Sequence, residues 1–167
     1  MEEDRVVSNI VKYNGIFNFT ELYDFIHNWC MDEQYKITEK KYDEKILGDS
    51  KTVDIKWDCN RKITDYFLFR IKLKWTISGL KKIEVKRENN KIIMNKGSIT
   101  IKFTGVMYSD YQSRWEDFPF WKFLRGFYDR YMIKSRVESY HKKLEEEIKE
   151  LTSQVESFLA LEQRKFC

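Results

Sequence analysis

The residues best equipped for chemistry in this chain are two histidines, three cysteines and a pair of aspartates four positions apart. His27 follows Asp24 by three positions, so on a helix its imidazole would have a carboxylate one turn away, the arrangement that orients a general base. His141 stands among lysines, Cys30 closes the same stretch as His27, and Asp54 and Asp58 would share the polar side of a strand. Plainer roles fit each of them better. Surface positions account for both histidines, and Cys30 reads as a core thiol. Asp54 and Asp58 are expected to balance Arg70, Lys72 and Lys74 on a neighbouring strand, where opposite charges attract. Cys30, Cys59 and Cys167 form no CxxC pair, and two histidines are too few to complete a zinc site with them. GxSxG, HExxH, P-loop and GxGxxG patterns are all missing, and the six glycines occur singly. We therefore expect a non-catalytic protein without metal or cofactor.

The elements that would position a site are more legible. From Tyr66 to Ile77, Phe67, Phe69, Ile71, Leu73, Trp75 and Ile77 are large and apolar, and Arg70, Lys72, Lys74 and Thr76 alternate between them. A period of two puts one row on a core and the other in water, as in a strand of a one-sided antiparallel sheet. Val53, Ile55, Trp57 and Cys59 repeat the pattern, as do Ile99, Ile101 and Phe103. Tyr35–Leu47 is polar enough for an edge strand and turns at Gly48-Asp49-Ser50. Ser78-Gly79 predicts a turn or bulge, while 88–91 and Asn95-Lys96-Gly97 each predict a hairpin. Residues 5–17 fit either a helix or a first strand broken at Gly15. A helix over about 19–30 is predicted by the cap Asn18, by Glu21 three residues on, and by Leu22, Phe25, Ile26 and Trp29 at helical spacing.

A second helix is expected from Pro119 to about residue 162, and its apolar side changes direction. Phe120, Trp121, Leu124, Phe127, Tyr128 and Tyr131 form one stripe, whereas Val137, Tyr140, Leu144, Ile148, Leu151, Val155 and Phe158 form another, roughly 160° around the axis. One straight rod cannot press both stripes on a single surface. Either the helix bends near Ile133–Arg136 and folds back, or the second stripe meets a protein partner or a second copy of the chain. The second alternative is taken as the working expectation, with a sheet-and-helix domain over 1–135 and a helical extension over 136–167.

Composition bounds the function. Hydrophobic residues make up 42% and aromatics 16% of the 167 residues, which excludes wholesale disorder. The acidic start Met1-Glu2-Glu3-Asp4 is unlike a secretory leader, and no apolar run approaches the ~18–20 residues needed to cross a bilayer. A soluble, cytoplasmic protein is expected, with membrane docking by the aromatic stretch 118–132 the weaker alternative. A net charge of +4 permits nucleic-acid binding without arguing for it. The cations are segregated, however. Lys81, Lys82, Lys86, Arg87, Lys91, Lys96 and Lys102 face Glu84 and Glu88 alone over residues 81–102. The first half of the late helix is basic, and residues 144–158 are acidic.

These elements amount to an α+β fold, a five- to six-stranded antiparallel sheet covered by a short N-terminal helix and a long C-terminal one. Their order resembles the helix-grip arrangement of START and Bet v 1-like proteins. That resemblance implies a cavity between sheet and helix for an apolar ligand, lined here by Trp57, Phe69, Leu73, Trp75, Phe103, Leu124 and Tyr128. The stretches Tyr13–Tyr23 and Phe120–Tyr131 also look like small uncharacterised archaeal proteins, which implies no activity. Three expectations result: an assembly module acting through its late helix, a carrier of an apolar ligand, or an RNA-associated protein with a basic surface.

Overall fold

A computed structural model of the chain describes residues 2–109 and 134–166. In chain order its elements are β1 (Glu2–Phe17), α1 (Phe19–Asp32), β2 (Lys36–Leu47), β3 (Ser50–Lys62), β4 (Phe67–Arg87), β5 (Asn90–Ser109) and α2 (Lys134–Phe166). The five strands form one sheet in the order β1-β5-β4-β3-β2, every neighbouring pair antiparallel. The α+β class is as the alternation implied, and the layout is compatible with a helix grip. The expected start of the second helix, its first apolar stripe and the bend at Ile133 lie outside the described residues.

Residues 5–17 are strand, because β5 supplies a partner along their whole length. Among the described residues the sheet has five strands, because Asn95-Lys96-Gly97 does not turn. β5 runs straight through it. A Cβ on Gly97 would sit 3.0 Å from the Ser78 carbonyl oxygen and 3.1 Å from Leu80 Cα. The glycine thus admits the bulge at Ser78–Lys81 on the adjacent strand, where Gly79 has φ +62°. Asn95 accepts from the Phe19 N–H at 3.0 Å through its side-chain oxygen.

Asn18 caps α1 as predicted, accepting from the Glu21 N–H at 3.1 Å. The helix ends with Gln34 in the left-handed region at φ 65°. There Tyr35 N–H returns to the Cys30 carbonyl at 2.8 Å and Gln34 N–H to Met31 at 3.0 Å, so these two carbonyls of the last turn are satisfied.

One face of the sheet carries the core. Val53, Ile55, Phe69, Ile71, Trp75, Ile77, Ile101 and Phe103 are fully buried there, with Leu22 and Ile26 of α1 laid over them. α2 packs mainly over β1 and also touches β5, β4 and α1. Its passage is opened by Gly105, whose missing Cβ would meet Ile148 and Leu144 at 3.2 Å and Val7 at 3.0 Å. The opposite, outer face is polar over most of its extent, yet it is not wholly so. Leu68, Val106 and Tyr108 form a second buried cluster on it. Arg70 covers the Tyr108 ring at 4.7 Å and donates to Asn60 at 2.7 Å.

Candidate functional site

The second apolar stripe is not an open surface. Leu144, Ile148, Leu151 and Val155 have no exposed area and belong to the same core as the sheet, with Val137, Tyr140 and Phe158 partly buried against it. These residues pack on the chain's own sheet. The reason is that α2 lies on β1 and β5, where the small Gly105 and the inward Val11 leave room for it. The extension drawn at 136–167 accordingly shares the core of the sheet.

A buried polar cluster fastens this helix. Glu147 on α2 accepts from Tyr35 Oη at 2.6 Å and from Arg61 Nη2 at 2.7 Å. Arg61 also donates to the Glu33 carbonyl at 2.9 Å, and its guanidinium lies 4.7 Å above the Tyr35 ring. Burial, then the bond to the Glu147 carboxylate, pushes the Tyr35 hydroxyl far above its usual range. The cluster ties α2, β3 and the end of α1 together with its charges matched internally. That is an anchor, not a reaction centre.

The residues proposed to line a cavity are engaged with one another. Trp57, Phe69, Leu73, Trp75 and Phe103 are all buried, and the Trp57 and Trp75 rings lie 5.3 Å apart. Tyr23 of α1 meets Trp57 edge-on at 4.9 Å, and Phe19 meets Trp75 at 6.3 Å. Trp57 Nε1 and Tyr23 Oη both donate to one oxygen of Glu39, at 3.1 and 2.8 Å. Burial, followed by that bond, raises the Tyr23 hydroxyl to about 12. Trp75 Nε1 is buried with no hydrogen-bond acceptor among the described residues, and its ring packs against those of Trp57 and Tyr23. Leu124 and Tyr128 lie outside the described residues.

Of the candidates for chemistry the two histidines stay apart, while Cys30 and Cys59 meet in the core. His27 packs edge-on against Trp57 at 6.1 Å, and His141 Nε2 lies 2.8 Å from Asp4 of β1. Cys59 is hydrogen-bonded to Cys30 and buried, and both effects push its thiol up, away from the thiolate a nucleophile needs. Among the described residues no group of three or more His, Cys, Asp or Glu could hold a metal, and no helix is long and apolar enough to cross a membrane.

What the strand register assembles is a line of cations. Lys41 of β2 is opposite Lys56 of β3, Lys56 is opposite Lys74 of β4, and Lys74 is opposite Lys102 of β5. All four are exposed on the outer face. At a strand spacing of ~4.8 Å they span about 14 Å in one row. Asp58, on one side of this row, stands opposite Lys72, as charge balance predicted, although Lys72 Nζ reaches Glu3 at 3.5 Å. Asp54, on the other side, faces Asp43 and Thr76, so it does not offset Lys74 in register. Arg70 pairs with Asn60.

The basic residues expected at 81–91 occupy a second feature. β3 stops pairing with β4 at Leu80, and β1 stops pairing with β5 at Asn95. Beyond these points, among the described residues, β4 and β5 continue to Arg87 and Asn90 as a two-stranded arm. Lys81, Lys82, Lys86 and Lys91 are exposed on it, Lys86 directly opposite Lys91 and Lys81 opposite Lys96. The Arg87 side chain lies outside the described residues. A groove of about 320 Å³ at the base of the arm is lined by Lys51, Lys81 and Lys82.

No protein-family model matches this sequence, and no curated protein does.

Proposed function

We propose that this chain is a non-catalytic binding module whose ligand is a nucleic acid, held by its phosphates on the outer face of the sheet. The observation that carries this reading is the row Lys41–Lys56–Lys74–Lys102. Like charges directly opposite one another destabilise a sheet; Asp43 offsets Lys41 at 3.4 Å, and the repulsion left among Lys56, Lys74 and Lys102 is a cost that a polyanion would remove. The shape of the charge matters too. Asp43, Asp54 and Asp58 flank the row, so the surface is a cationic line and not a cationic plane. A flat anionic membrane would press on the aspartates as well as the lysines, whereas a phosphate backbone can follow the line. Insertion into lipid also calls for an apolar belt, and Ile10 is the exposed large aliphatic residue next to the row.

Counter-ion release gives the test. Four phosphate contacts predict that log K against log salt falls with a slope of about −3 to −4. Fluorescence anisotropy with labelled nucleic acid across a salt series should show this for the wild type. Replacing Lys56, Lys74 and Lys102 by Gln should reduce the slope by about three units. Binding that is absent at low salt, or a triple variant that binds with the wild-type slope, refutes the reading.

A further inference from the structure

We infer that the β4–β5 arm is a groove-entering ribbon, and that the preferred ligand is double-stranded DNA with the arm seated in its major groove. The inference rests on the phosphate-binding reading above and adds to it the form of the ligand and the element that selects it. The arm begins where β1 and β3 end, so from Ile83↔Met94 to Arg87↔Asn90 the pair has no third strand beside it among the described residues. Five residues of β4, at ~3.3 Å each, carry it about 16 Å beyond the sheet. Two strands with their side chains are roughly 10 Å across, and the major groove of B-form DNA, about 12 Å wide, admits a two-stranded ribbon. The arm closes in a two-residue turn, with Glu88 at φ 50° and Asn89 at φ 67°, the geometry whose twist matches the flanking strands. The tip is therefore narrow and held in register.

Charge complementarity points the same way. Lys82, Lys86 and Lys91 are exposed on one face of the arm, with Glu84 the carboxylate among them. Two of the three, Lys86 and Lys91, stand directly opposite each other, repeating the like-charge pairing of the row. A single strand is the poorer ligand, because proteins that hold one without regard to sequence stack its bases on exposed aromatic rings. Tyr42, the well-exposed aromatic among the described residues, is paired with Ile55 on the other face of the sheet and is bonded to Glu44 at 2.9 Å. Row and arm thus offer lysines and no stacking platform. From Lys74 to Lys86 the strands extend about 40 Å, somewhat more than one turn of a duplex, so both features can act on one ligand.

The test uses the full chain, a labelled DNA duplex of about two turns and the single strand of the same sequence. The wild type should bind the duplex at least tenfold more tightly. Lys82→Gln/Lys86→Gln/Lys91→Gln, all at exposed positions, should bring duplex binding down to the single-strand value, with the salt dependence supplied by the row retained. Equal wild-type affinity for the two forms overturns this inference and leaves the phosphate-binding reading standing. So does an arm variant that keeps the full duplex preference. Failure to bind either form, or equal binding to phosphatidylserine vesicles, overturns both.

Discussion

Removing the Glu147 carboxylate should loosen α2 from the sheet. Glu147 accepts two short bonds, from Tyr35 and Arg61, and the Arg61 and Glu147 side chains are only 13% and 12% exposed. A charge-assisted bond contributes about 1.5–3 kcal/mol, and breaking a buried pair by deleting one partner costs about 3–5 kcal/mol. Arg61 keeps the Glu33 carbonyl and the Tyr35 ring after the change, which favours the lower end. Glu147→Leu should therefore destabilise by about 3 kcal/mol, and Arg61→Met by a similar amount. The double variant should cost far less than their sum, because neither charge is then stranded, leaving a coupling energy of about 2 kcal/mol. Guanidinium unfolding of the four proteins measures this cycle. Since α2 covers its own sheet, the wild-type midpoint should also be the same over about a hundredfold range of protein concentration. Additive single changes, or a midpoint that rises with concentration, would refute the account of α2 as an internal, anchored helix.

Three further outcomes are expected. Gly105→Leu should destabilise by about 1–3 kcal/mol in thermal or chemical denaturation, since its side chain would fill the space held by Leu144, Ile148 and Val7. Stability should be lost as pH rises above 10. The folded chain holds the Tyr23 proton up to about 12 and the Tyr35 proton beyond its ordinary range, while the unfolded chain releases both near 10. The loss is complete for Tyr23 once pH passes 12, and midpoints recorded between pH 9 and 12 should fall less steeply in Tyr35→Phe. Lys74→Gln should raise the unfolding midpoint at low ionic strength, by a few tenths of a kcal/mol, through relief of repulsion from Lys56 and Lys102. That gain should vanish in 1 M salt.

The long alternation 66–77 made β4 and its buried face legible, because a period of two needs no knowledge of neighbours. Asn18 likewise announced α1 through local hydrogen bonding alone. Asn95-Lys96-Gly97 misled because its glycine serves a close approach to another strand, and a close approach leaves the same mark in a sequence as a turn. The Leu144–Val155 stripe was recognisable as a helix face, yet its destination depended on Gly105, far away in the chain. The lysine row was illegible for a related reason. Lys41, Lys56, Lys74 and Lys102 share a line only after bulges between Glu39 and Lys41 on β2 and at Ser78–Lys81 have set the pairing. Tyr35, Arg61 and Glu147 are brought together from three elements, and no local pattern links them.

The closure of the sheet bears on how the chain acquires its structure. Glu2 pairs with Ser109, and Phe17 with Asn95, so β1 docks on β5, the last strand among the described residues. The meander β2–β5 is built from near neighbours, whereas β1 must wait until almost the entire sheet has left the ribosome. Contacts of such long range are slow to form, placing this fold among those that mature in milliseconds to seconds. Until then the flank of β5 stays open to whatever strand arrives first, and high concentrations of nascent chain would favour exchange of β1 between molecules.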